Sequence, residues 1–120
     1  DFCNDYELAY AVLNLSLAAQ TKVGLERVGL KEGIPVFTEG GFRNNPDYMS
    51  LLSAFFPKSK QFISNLKEAT SFGAAMLGKV AEEKIDPYDL KKEISIDTQE
   101  IVPCKIHELG DYFDKFISLV

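Results

Sequence analysis

Histidine and cysteine are almost missing from this chain, which has one histidine, His107, and two cysteines, Cys3 and Cys104, near its opposite ends. With no CxxC pair and one imidazole, an ordinary zinc site of three or four Cys and His ligands cannot be assembled. The cysteines read as buried thiols in a reducing cytoplasm. His107 is expected to open the last helix as a solvated cap residue. No Ser or Cys nucleophile stands near it to be activated, and no catalytic dyad or triad is found. No run of about 18 apolar residues exists, so no membrane span is expected. The first five residues, DFCND, lack both the basic start and the apolar core of a signal peptide. A basic excess is lacking too: the net charge of −5 argues against a nucleic-acid surface. The chain does not begin with Met, which fits either processing or a piece of a longer protein.

What remains is ordinary for a soluble globular chain: 120 residues, 46% hydrophobic and 26% charged, enough for one domain or subdomain with a real core. Residues 7–28 read as a first helix, with Asn4 as its cap and Glu7 completing a capping box. Its first half, LAYAVLNLSLAA, is apolar on nearly every side and should be buried on more than one face. Gly29 is placed to end it. IPVFT, 34–38, reads as a short strand with Pro35 at its start or on an edge. Asn45-Pro46-Asp47 is a strong helix start, a cap followed by a pre-set ring and a favourable charge. That helix should run through Phe56 and stop at Pro57.

KQFIS, 60–64, is the second expected strand, and Asn65 with Glu68 suggests another capping box. The helix that follows carries Gly73, Ala74 and Ala75 in its middle, a cost in propensity that implies a close neighbour there. Asp86-Pro87 should start a short helix to about Glu93, and ISI and EIV read as extended pieces. Leu109, Tyr112, Phe113, Phe116, Ile117 and Val120 form a one-sided stripe at helical spacing, read as core. Helices between short strands predict an α/β arrangement, helix-rich with a small sheet. Two or three short strands cannot cover a helix as apolar as the first, so part of the core is expected to lie elsewhere.

The stretch FTEGGFRNNPDYMS, 37–50, puts two glycines between the first strand and a helix. Loops that leave a strand for a helix line the ligand crevice of open α/β sheets. Glycines there remove β-carbons and let a flat ring or a phosphate approach the main chain. The pattern is neither GxxxxGK[ST] nor GxGxxG, and for a Gly-Gly pair alone a structural turn is the favoured reading.

The order of the pieces goes further. ELAYAVLNLSLAAQTKVGLERVG, then VFTEGGFRNNPDYMSLLSAFF, then LKEATSFGAAMLGKVAEE resembles the C-terminal part of the FGGY family of carbohydrate kinases. The likeness covers residues 7–84, and the tail to Val120 is compatible with it. It implies a partial actin-like (ribonuclease H-like) ATPase fold, with residues 1–120 as the C-terminal segment of the nucleotide-side domain. It implies transfer of the γ-phosphoryl of ATP, with Mg²⁺, to a ketose or polyol hydroxyl in a cytoplasmic enzyme. Gly40 and Gly41 would bring their backbone against the adenosine, and Asn44 would sit near the base. Asn45 is adjacent and competes for that role, although its place before Pro46 suits a helix cap better. Phe42 stands where many members have a small residue, and its ring would line the pocket or crowd it. Glu68, Ala69, Thr70, Gly73, Ala74 and Ala75 match the family's second motif and are read as packing support that lets their helix lie close to the sheet.

In that family the catalytic Asp, the phosphate-gripping loops, most of the metal site and the sugar-binding residues precede this segment. Asp47 and Asp86 are read as helix-start charges instead. The chain by itself is therefore expected to be catalytically silent, with no catalytic or metal-ligating residue of its own. ATP and a sugar held by the missing part are the implied partners, and association with a second copy stays open. Two other readings also stay open: a stand-alone α/β interaction module and a non-catalytic actin-like nucleotide-binding domain.

Overall fold

The computed structural model describes residues 4–66, 68–92 and 94–119. Helix α1, Tyr6–Arg27, is capped by Asp5, whose carboxylate accepts a hydrogen bond from the Leu8 amide at 3.0 Å. The expected cap, Asn4, lies one residue too early. Either side chain could have served, and the chain uses the one next to the first helical turn. The far end closes as anticipated. Gly29, at φ 88°, turns the backbone so that its amide bonds the Glu26 carbonyl and the Leu30 amide bonds the Leu25 carbonyl. These two bonds satisfy carbonyls that a helix end otherwise leaves open.

Strand β1, Val36–Thr38, follows, and Pro35 sits just before it on the sheet edge, where a missing N–H costs nothing. A short 3₁₀ turn, Gly41–Asn44, leads into α2, Pro46–Phe55. Asn45 caps α2 through its side-chain oxygen, which accepts from the Tyr48 amide at 3.0 Å, with Pro46 in the first turn and Asp47 beside it. Strand β2, Gln61–Ser64, pairs parallel with β1, in the register Val36–Gln61, Phe37–Phe62 and Thr38–Ile63. On its other side β2 pairs antiparallel with β3, Thr98–Glu100. The sheet order is thus β1-β2-β3.

The core forms where α1 lies on α2. Ala18 and Ala19, fully buried, let α1 approach Tyr48, Met49, Leu51, Leu52 and Phe55. Helix α4, Leu109–Leu119, closes this layer: Leu109, Tyr112, Phe113 and Phe116 pack against it, and the Phe113 ring lies 5.6 Å from Phe55. The predicted stripe is therefore core, except that Ile117 is 43% exposed. Val120 lies outside the described residues, as do Cys3 and Glu93. Cys104 is a half-buried free thiol. His107 is exposed in the turn before α4 rather than in the helix.

Three expectations are corrected. Helix α1 is buried on one face only: Tyr6, Tyr10 and Leu13, on the other face, are between 50% and 89% exposed, because α2 and α4 offer a single surface. Helix α3, Ala69–Glu83, has no buried residue, and a β-carbon on Gly73 would meet nothing within 4 Å. Its main neighbour is the 3₁₀ turn Pro87–Lys92, so the small residues do not bring it against the sheet. Asn65 does not cap it. The Asn65 backbone amide bonds the Asp97 carbonyl at 3.0 Å and its side-chain amide donates to the Asp97 carboxylate at 3.1 Å. These bonds extend the β2–β3 pairing by one residue, which removes Asn65 from the helix start.

Candidate functional site

Because β1 and β2 run parallel, their carboxyl ends lie side by side, with Thr38 opposite Ile63. The 39–45 loop after β1 and the connection after β2 therefore leave the sheet at the same edge. In open α/β sheets this edge is where ligands gather.

Gly40 carries φ 75° and ψ −151°. This combination is essentially restricted to glycine. The backbone then turns into the 3₁₀ segment, where Gly41 has no positive φ. A β-carbon built on either glycine meets nothing within 4 Å. Both are exposed. The two glycines thus have different reasons. Gly40 is required by the turn; Gly41 is required by nothing that the described residues contain, and it leaves a bare stretch of main chain facing outward.

The side chains around the glycines are sorted by what holds them. Phe42 is half exposed, and its ring lies on that of Tyr48 with centroids 4.7 Å apart. Tyr48 is buried, and its hydroxyl bonds Thr21 of α1 at 2.8 Å. The Phe42 ring is therefore anchored over α2, with its other side at the surface beside the glycines. Asn45 spends its side chain on the fold: the oxygen caps α2, and the amide donates at 2.8 Å to Asn14, which is 2% exposed. Asn14 in turn donates to the Tyr10 carbonyl. Asn44, by contrast, is exposed and makes no side-chain hydrogen bond among the described residues.

Two residues escaped the sequence reading. Asn14 sits in an apolar helix with no local signal that it would answer a loop 31 residues away. Arg43 looks like a surface charge in sequence, but its side chain is only 19% exposed. One of its guanidinium nitrogens, Nη1, donates to the Ser64 carbonyl at 2.8 Å and to the Leu66 carbonyl, and it lies 4.0 Å from the Glu39 carboxylate. A shallow cavity of about 360 Å³ opens beside it, lined by Arg43, Ile63, Ser64, Asn65, Asp97 and Thr98 among others.

Another cavity, about 330 Å³, lies at the far end of α2 among Lys22, Glu26, Phe55, Phe56 and Lys58. Its charges are answered internally: Lys22 pairs with Glu26 and sits 4.9 Å from the Phe56 and Phe113 rings, and Lys58 pairs with Glu32. It is a packing feature. Among the described residues no group of three or more His, Cys, Asp or Glu side chains comes together as metal ligands. Asp47 lies in the first turn of α2, and the Asp86 carboxylate accepts from the Tyr88 amide at 2.9 Å, so both serve helix starts. No helix among the described residues is long and apolar enough to cross a membrane.

The chain is thus a helix-rich α/β unit with a three-stranded mixed sheet and a glycine loop at the strand ends. The family model for the C-terminal domain of the FGGY carbohydrate kinases matches residues 4–87, which include the whole of α1, the glycine loop and α3. The chain belongs to that family, whose members are phosphotransferases that use ATP and Mg²⁺. No curated protein and no solved structure gives a significant match.

Proposed function

We propose that this chain is the C-terminal segment of the nucleotide-side domain of a sugar kinase, and that its 39–45 loop forms the adenosine side of the ATP site. The enzyme would transfer the γ-phosphoryl of ATP to a hydroxyl of a ketose or polyol and release ADP. The observation that carries this reading is Gly41. Neither backbone strain nor a close neighbour calls for glycine there, yet glycine weakens a helical turn relative to alanine. A site that must let a flat ring lie on the main chain accounts for that cost.

In this reading the Gly40–Gly41 backbone supplies the floor for the nucleoside, and the exposed Asn44 amide supplies a donor and an acceptor for the edge of the base. Asn45 is less suited, since both ends of its side chain already hold the fold. The exposed side chains of Tyr6, Tyr10 and Leu13, which share one face of α1, support the first half of the proposal, that the chain is a segment of a larger domain. An uncovered apolar helix face of this kind suits packing against the rest of a larger kinase domain. The Mg²⁺ and the phosphates would be held mainly by that remainder, as would the sugar.

Gly41→Val tests the loop. A β-carbon at position 41 meets nothing within 4 Å and the backbone there has no positive φ, so the fold should persist. ATP titrated into the intact protein should nevertheless bind about tenfold more weakly or worse, a loss of roughly 1.4 kcal/mol or more. An unchanged dissociation constant removes the loop from the site.

A further inference from the structure

Gly40 and Gly41 have no side chains to anchor them, and Arg43, close behind them, supplies the anchor. On one side stands Glu39 and on the other Arg43, with the guanidinium 4.0 Å from the carboxylate. The same Arg43 nitrogen reaches across to the Ser64 and Leu66 carbonyls at the end of β2. Leu66 lies three residues before the first turn of α3. A single cation therefore ties three pieces of main chain together: the glycine loop, the end of β2 and the approach to α3. We propose that Arg43 is a positioning residue for nucleotide binding, holding the bare backbone of the loop at a fixed height beside the β2–α3 connection. The inference rests on the reading of this loop as the adenosine side of the site.

The chemistry favours positioning over direct contact. The Arg43 side chain is largely covered, and Nη1 already serves two carbonyl oxygens. Charge-assisted bonds of this sort are stronger than neutral ones and hold their geometry. Binding then does not have to spend free energy on ordering two glycines, the residues that lose most backbone freedom when fixed. Without the cation, the Ser64 and Leu66 carbonyls lose a shared donor, the Glu39 carboxylate loses its counter-charge, and the loop can drift outward from the sheet edge. A loop that binding must order again costs the ligand affinity.

The test is made on the intact protein with ATP and GTP as probes, in Arg43→Met, Arg43→Lys and Gly41→Val variants. Three quantities are read: the ATP dissociation constant, the ATP-over-GTP preference, and the thermal midpoint without nucleotide. Arg43→Met should weaken ATP about tenfold and reduce the preference for ATP, since a loop that drifts no longer aligns its polar groups with one base. Arg43→Lys should fall between Met and the parent, because an ammonium on a shorter stem can still serve one of the two carbonyls. A residue that merely stabilised the fold would lower the midpoint and leave the base preference of the folded protein unchanged; that result overturns the proposal. If Arg43→Met does not fold, Arg43→Lys decides by the same preference. Gly41→Val separates the two readings. When it weakens ATP and the Arg43 variants do not, the positioning role alone fails; when it leaves ATP binding intact, the nucleotide loop itself fails.

Discussion

Asn45→Ala lowers the unfolding free energy of the intact protein by about 1.5–5 kcal/mol, while Asn44→Ala changes it by less than about 0.5 kcal/mol. The contrast follows from what each amide holds. Asn45 caps α2 through its oxygen, and loss of such a cap costs about 0.5–2 kcal/mol. Its nitrogen is the donor to the Asn14 oxygen, and Asn14 is 2% exposed. Alanine at 45 leaves that oxygen buried without a partner, which adds about 1–3 kcal/mol. Asn44 has neither duty. Denaturant unfolding reads both variants, and a double-mutant cycle with Asn14→Ala should show coupling, because the second substitution removes the orphan that the first creates. Equal losses at 44 and 45 would mean that the cap and the Asn14 bond contribute little. In ATP titrations the order should reverse, with Asn44→Ala weakening binding and thereby marking the residue that faces the base.

What could be read from the sequence follows from the range of the interactions involved. Gly29 and the Asn45-Pro46-Asp47 start depend on bonds within five residues, and the structure places both where local chemistry puts them. The α4 stripe is legible for the same reason, since helical spacing alone assembles Leu109, Tyr112, Phe113 and Phe116 on one face. Failures begin where a residue has two local options and a distant partner decides. Asn65 carries a plausible cap pattern with Glu68, yet Asp97 claims it through the sheet. Strand β3 consists of Thr98, Gln99 and Glu100, all exposed, and its sequence offers no alternation to detect; it exists because β2 has a free edge to pair. The extended pieces ISI and EIV flank it, and only Glu100 falls within it. The glycine pair was visible as a motif. Its two supports, Arg43 and Asn14, were not, because a buried guanidinium and a surface one are spelled alike.

Gly40→Ala costs the fold about 1–3 kcal/mol, and Gly41→Ala is neutral or stabilises it by about 0.4–1 kcal/mol. Position 40 holds φ 75° and ψ −151°, which a side chain strains even though the space around it is empty. Position 41 lies in the 3₁₀ turn without a positive φ and also faces empty space, so alanine meets no obstacle there and restricts the unfolded chain more than glycine does. Thermal or denaturant unfolding of the intact protein separates the two. Nucleotide binding should then cut across stability: if the loop is the proposed nucleoside floor, the more stable Gly41→Ala protein binds ATP more weakly, because the added methyl group occupies that floor. A position at which the fold gains and the ligand loses is one kept for the ligand. Should Gly41→Ala instead lose stability, position 41 answers to the turn, and the chemical argument for a nucleoside resting on this loop goes with it.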